Sequence, residues 1–313
     1  MAHFFYGCYN QPAALQEENI LKNQAALGEI SARMKLKTKI IILSAVFVFA
    51  AGLVLYPFFA DIHNNKIAES LIVEYEENIS DIDDSYLEAA FEAALEYNSA
   101  LSAGGVSSLY EDMTVQEIYE SLLNLSGDGV MGYIVIPSID VNLPIYHYTD
   151  EEVLKKGVGH LESTALPVGG TSTRCVLSGH RGLPGSKLFT DLDRLEIGDI
   201  FYLKVLGRTL AYEVASIEVV LPDEADSLNT SAGEDLCTLI TCTPYGINTH
   251  RLLVTGTRIE YVQTEEVQTV LSADPVSSDY ILLYAAAAEL AVFLIILIIL
   301  VKRNNRGKNP PRS

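Results

Sequence analysis

Positive charge is scarce in this 313-residue chain: 21 Lys and Arg stand against 41 Asp and Glu, a formal net charge of −20. The imbalance deepens between two long apolar runs, because many of the basic residues flank those runs from outside while most of the carboxylates lie between them. So negative a surface disfavours nucleic acid as a partner, whereas it suits solubility outside a cell or the steering of a basic protein. A plain solvated acidic surface is the favoured reading. Cysteine is also scarce, at four residues (Cys8, Cys175, Cys237 and Cys242). His147, His160 and His250 have no Cys or carboxylate partners at metal-ligand spacing, so nothing asks for a metal. Internal repeats and low-complexity tracts are missing as well.

The two apolar runs are Ile40 to Ala60, which carries no charge, and Ile281 to Val301, whose only charge is Glu289. Each matches the ~20 residues that a helix needs to cross a bilayer. Arg33, Lys35, Lys37 and Lys39 precede the first, and Lys302, Arg303, Arg306, Lys308 and Arg312 follow the second. This basic excess predicts both ends in the cytoplasm and residues 61 to 279 outside. The first run is too long for a cleaved signal peptide and is followed by no small-x-small site, so it reads as an uncleaved anchor. Translation could open at Met1 or at Met34.

Apolar residues recur at helical spacing between Lys66 and Leu101, which predicts two helices with Asp83 and Asp84 as caps before the second. Thr114 and Glu117 form a capping-box pattern that opens a short helix to about Leu123. From Gly132 the texture becomes β-rich, with runs at Tyr133 to Ile136, Val141 to Tyr146, Cys175 to Ser178, Ile200 to Val205, Leu210 to Val220, Leu236 to Thr241 and Leu252 to Tyr261. Seven or eight strands suggest a barrel or sandwich. Thr149 to Lys156 reads as a helical insert, and Leu188 to Leu195 as a short helical turn.

Cys242 ends one apolar run, His180 closes another, and Arg251 opens a third. A thiol, an imidazole and a guanidinium at strand edges can together run acyl transfer. The thiolate is the attacking species, yet a free Cys has a pKa of about 8.5, so a neighbouring cation is needed to favour it. Arg251 stays charged and its fork of donors suits an oxyanion, while His180 can give and take protons. Asp191 and Asp193 read as caps of local backbone, and the other histidines as structural. Glu289 within an apolar run is costly in lipid and is a candidate interhelical contact.

The stretch Thr238 to Val254, read TLITCTPYGINTHRLLV, resembles the signature of sortases, specifically of the pilus-assembling class C. So do Gly159 to Glu162 with Leu166 to Gly170, Ser178 to Pro184, and Leu188 to Asp193. The resemblance covers residues 130 to 260 and implies a mainly β, sortase-like eight-stranded barrel with short helices, preceded by a helical segment and flanked by two transmembrane helices. The domain plan is then a cytoplasmic segment 1–39, a span 40–60, a helical or lid region 61–129, the barrel 130–262, a linker 263–280, a span 281–301 and a basic tail 302–313. By the same resemblance Cys242 is the nucleophile, His180 the proton donor and acceptor, and Arg251 the group that binds substrate and steadies the oxyanion. The implied enzyme is an extracytoplasmic, membrane-held transpeptidase of a Gram-positive cell, with protein substrates and no cofactor. It would cut an LPXTG-like sorting signal through a thioester, with hydrolysis as a side reaction, and join the product to a lysine of a pilin.

Class C enzymes usually carry a lid with an Asp-Pro-aromatic motif, and no Asp-Pro occurs between Asp61 and Gly132. Tyr110, Glu111 and Asp112 offer an aromatic and acids in its place, although an ordinary loop is the simpler reading. Cys175 and Cys237 stand five residues before His180 and Cys242, an odd offset that turns each to the opposite face of its strand. Sortases place these two strands side by side, so the pair is either a buried disulfide or two small buried hydrophobes. Three competing functions remain: a housekeeping sortase acting on cell-wall precursor, a non-catalytic membrane-anchored assembly module, and a papain-like protease. The C-terminal span and Thr243 to Gly246 argue against the first, the presence of all three site residues against the second, and the order His, Cys, Arg against the third.

Overall fold

The computed structural model of the chain describes residues 13–110, 112–224 and 228–262, together with scattered residues between 284 and 298. It divides into two compact units, Met1–Tyr56 and Pro57–Ser313.

Helix α1 runs Ala13–Ser80. From Ile40 it contains a window of mean hydropathy 2.5, none of it buried in protein, with Ile41, Val46, Phe49 and Val54 all exposed. By length and composition this segment can cross a bilayer, where such a surface is solvated by lipid. The first span and the first predicted helix are therefore one helix: Asp61 to Lys66 change the polarity but supply no Gly or Pro to stop the backbone ladder. The second predicted span, 281–301 with Glu289, lies outside the described residues apart from isolated helical positions. Cys8, the linker from 263 and the basic tail also lie outside them.

Beyond Pro57 the helix turns amphipathic. Ile72, Tyr75 and Ile79 are buried against Val130, Tyr133, Val135 and Tyr202 of the barrel wall. The Tyr75 hydroxyl donates to the Met131 carbonyl at 3.1 Å and accepts from the Leu206 amide at 2.9 Å, so its polar tip is satisfied inside an apolar contact. Helix α2 (Asp84–Ser102) starts at the predicted Asp83, whose side chain accepts from the Ser85 amide. It buries Phe91, Ala94, Tyr97 and Asn98. Asn98 fixes it to the barrel, donating to the carbonyls of Leu166 (3.1 Å) and Gly169 (3.0 Å) and accepting from the Leu166 amide (2.7 Å). Helix α3 (Val115–Ser121) opens with the predicted Thr114–Glu117 capping box. Tyr110 of the preceding segment is exposed, and Glu111 lies outside the described residues.

Eight strands follow: β1 Val130–Ile136, β2 Val141–His147, β3 Val158–His160, β4 Thr173–Ser178, β5 Ile200–Val205, β6 Arg208–Val220, β7 Asp235–Thr243 and β8 His250–Ile259. They close into a barrel in the order β1-β2-β3-β4-β7-β8-β6-β5. The predicted helical insert is the short helix α4, Glu151–Leu154, capped by Asp150. Strand β3 is the one the pattern of the chain did not resolve, since three residues carry no readable period; it pairs parallel with β2 and antiparallel with β4. The interior is filled by buried residues including Ile134, Ile136, Leu177, Phe201, Leu239 and Val254.

Cys175 and Cys237 face each other in register across the parallel pair β4–β7, fully buried in that interior and both free thiols. Burial and the neighbouring thiol push the Cys175 pKa well up, which keeps it protonated and inert. The odd-offset expectation holds here, and of its two outcomes the structure has the small buried hydrophobes.

Candidate active site

Strand pairing assembles the three sequence candidates at one end of the barrel. Across the antiparallel pair β7–β8, Cys242 and Arg251 are direct partners, so both side chains leave the same face. On the other side of β7, the parallel ladder with β4 ends at Ser178 opposite Ile240. It is prolonged by the Gly179 amide donating to the Ile240 carbonyl at 3.0 Å and by Thr241 Oγ1 donating to the Gly179 carbonyl at 2.8 Å. The register therefore carries His180 to the level of Cys242. The thiol stands on the middle strand, with the imidazole's strand on one side and the guanidinium's on the other, and adjacent strands lie ~4.8 Å apart. All three residues are half-buried, open enough to meet a substrate.

Local sequence explains why His180 sits where it does. Gly179 has no side chain because Phe189, fully buried, occupies the place: a Cβ there would lie 2.6 Å from the Phe189 ring. The Phe189 amide donates back to the His180 carbonyl at 3.1 Å, closing the intervening loop on itself. The Arg251 guanidinium is steadied by its own strand, Nη1 donating to the carbonyls of His250 (3.1 Å) and Asn248 (3.4 Å). Its Nε and Nη2 make no protein hydrogen bond among the described residues, which leaves donors for an oxyanion or a substrate carbonyl.

Arg181, next to His180, was not singled out by the sequence. It forms an ion pair with Asp193, donates from Nη1 to Thr243 Oγ1 at 3.3 Å, and lies 6.0 Å from the Tyr245 ring. It thus joins the loop after β4, the turn at Leu192–Arg194 and the end of the cysteine strand. This corrects the reading of the two acids as backbone caps: Asp193 pairs with Arg181, and Asp191 with Arg194 at 3.2 Å, because the guanidinium groups in reach are stronger partners than amides. The loop between β7 and β8 presents Tyr245 and Ile247 to solvent beside the thiol, and Gly182, at φ +74°, accommodates the Tyr245 ring.

Two other histidines, His160 and His147, are built into the packing. His160 is fully buried, with Nδ1 2.9 Å from the Tyr119 hydroxyl and Nε2 2.8 Å from the Ala165 carbonyl. His147 reaches the carbonyls of Gly129, Tyr119 and Leu122. Together they hold α3 on the barrel. Burial lowers the His160 pKa from 6.5 to about 4, so the folded chain keeps this ring neutral while the unfolded chain takes up a proton. Stability should accordingly fall as pH drops from about 6.5 towards 4, by up to about 3 kcal/mol. Thermal unfolding across that range, compared with a His160→Gln chain that does not titrate there, reads the difference. Among the described residues, no group of His, Cys, Asp and Glu is gathered to hold a metal.

Comparison with known proteins agrees with this architecture. A family model described as the sortase domain matches residues 134–259. The crystal structure of sortase C1 from Streptococcus agalactiae is 44% identical with a TM-score of 0.58, and the match covers 62% of this chain and 100% of that one. The Clostridium perfringens sortase C solved with the C-terminal cell wall sorting motif is 46% identical with a TM-score of 0.55, over 62% of this chain and 100% of that chain. Among curated proteins, sortase A of Streptococcus agalactiae serotype III is 31% identical over 117 residues, 36% of this chain and 47% of that protein. The chain therefore spans about half the length of that curated relative. With a closed eight-stranded barrel matched over the whole of solved sortase C chains, the chain belongs to the sortase family, and its structural neighbours are class C sortases.

Proposed function

We propose that the chain is a membrane-anchored cysteine transpeptidase that cuts an LPXTG-like sorting signal and transfers the acyl group to a lysine of a pilin subunit. The observation that carries this reading is the placement of Cys242 between the strands of His180 and Arg251. In the first half-reaction Cys242 Sγ, as thiolate, attacks the carbonyl carbon of the signal's Thr. The Arg251 guanidinium bears the oxyanion, and His180 protonates the departing Gly amine as the C–N bond breaks, leaving a thioester. In the second, a lysine amine attacks that carbonyl and gives its proton to His180; the C–S bond breaks, an isopeptide bond forms, and the thiolate returns. Each step moves one proton and needs no redox partner or cofactor.

Two features support the substrate side. A structural neighbour was solved with a cell wall sorting motif, and exposed Tyr245 and Ile247 offer apolar contact beside the thiol. The apolar window of α1 supports membrane anchoring. A two-pass arrangement with both ends cytoplasmic rests on the run 281–301 and its basic flank, as read from the sequence. To test the reaction type, the full chain in detergent is given an LPXTG-type peptide and a lysine-bearing acceptor peptide. An amide-linked product is expected to dominate over the free acid. Free acid alone at saturating acceptor would make the protein a hydrolase and overturn the proposal.

A further inference from the structure

The connection from His180 to Phe189 is tied at its base by the Phe189–His180 backbone bond and by the Gly182 amide donating to Thr190 Oγ1 at 3.2 Å. Its tip rests on helix α1. Gly185 lies against Ala60: at φ +82° the backbone favours glycine, and an added Cβ would come within 2.5 Å of the Ala60 Cβ. Asn64 Nδ2 donates to the Gly185 carbonyl at 2.7 Å and to Ser186 Oγ at 2.8 Å. The Lys187 amide donates to Asp61 Oδ1 at 2.8 Å. Three successive residues of the loop are thus held by the single helical turn that begins directly after the apolar run. Farther along, Lys187 Nζ lies 3.7 Å from Asp140 and 3.8 Å from Asp191, so the loop is also tied on the barrel side.

From these contacts we infer that Asp61 and Asn64 are positioning residues for the transfer reaction: they fix the loop that carries His180, and so make the geometry at Cys242 depend on the juxtamembrane turn of α1. The inference rests on the catalytic assignment of His180 proposed above. The strand register sets His180 only from the β4 side. Past Gly179 the ladder has ended, and the loop supplies the second constraint. His180 must reach the thiol in one step and the leaving or entering amine in the next, and a displacement of ~1 Å at such a group can lower the rate by ~100-fold. Removing the two side chains leaves all three catalytic residues in the chain and takes away the hold on the loop, together with the contact that Asp61 makes to Asn65 within α1.

The test is carried out on the full chain in detergent, with Asp61→Ala, Asn64→Ala, the pair, and Asp61→Asn, which keeps an oxygen acceptor for the Lys187 amide. Two readouts are taken. The first is cleavage of a fluorogenic LPXTG-type peptide, resolved into kcat and KM. The second is the rate of Cys242 alkylation by iodoacetamide as a function of pH. We expect the pair to lower kcat by ~10- to 100-fold with KM changed less than ~3-fold, to shift the pH profile of alkylation, and to be relieved at position 61 by Asn. The single variants, which lose fewer bonds, keep the test alive if the pair does not fold. Wild-type kcat and an unmoved alkylation profile in the variants would overturn the inference, as would an Asp61→Asn chain no better than Asp61→Ala. His180→Ala, run alongside, separates the two levels. If it is inactive while the pair is unimpaired, the positioning role alone fails; if it is as active as wild type, the catalytic assignment falls and the positioning role falls with it.

Discussion

Replacing Cys242 by Ala should remove transpeptidation altogether, lowering kcat/KM for a sorting-signal peptide by on the order of 10⁴-fold or more, with no thioester formed. The fold should survive the change. Cys242 is half-buried at the far end of β7, outside the interior where Cys175 and Cys237 sit, and its removal opens no cavity among the core residues. The two buried thiols cannot substitute for it: they leave the opposite face of their strands, and burial keeps the Cys175 thiol protonated. Peptide cleavage assayed beside a thermal melt separates lost chemistry from lost folding, with an unchanged melt and no cleavage as the expected outcome.

The next largest effects belong to the two flanking residues. His180→Ala should lower kcat by ~10² to 10⁴, the range for losing a positioned general acid and base, and should flatten the pH dependence of the rate. Arg251→Ala should cost ~10² to 10³ in kcat, the range for one oxyanion donor set. Arg251→Lys should recover little of it, because the Nη1 contacts to His250 and Asn248 orient a planar fork that an ammonium does not reproduce. Steady-state kinetics on the three variants reads all of this. A Lys variant as active as wild type would reduce Arg251 to a generic positive charge.

The three candidate site residues could be picked out in the sequence because each sits at the edge of an apolar run, where strand ends and loops meet, and because the stretches around them resemble known motifs. Helix starts were legible for a local reason: Asp83 and the Thr114–Glu117 pair bond to backbone within three residues of themselves. What escaped was structure without a local signature. Strand β3 is too short to show a period. Polarity marks where the first apolar run ends, yet polarity does not stop a helix, and α1 continues through Asp61 to Ser80. Arg181 pairs with Asp193 across 12 residues, and Asn64 meets Gly185 across 121, distances at which two polar residues leave no mark on either segment.

That long-range contact ties the helix carrying the first apolar run to the loop beside His180. The same turn that leaves the apolar run bears on the loop beside His180. The lid motif usual in class C is missing from residues 61 to 132.

The measurement that tests the central claim most directly is intact-mass analysis of the full chain mixed with an LPXTG-type peptide in the absence of any amine acceptor, quenched in acid. The account predicts a single adduct of the acyl fragment ending in the signal's Thr, mapped to the peptide containing Cys242 and released by hydroxylamine, and none on the Cys242→Ala chain. Cleavage of the peptide with no adduct on the wild type, or an adduct that persists on Cys242→Ala, would contradict it.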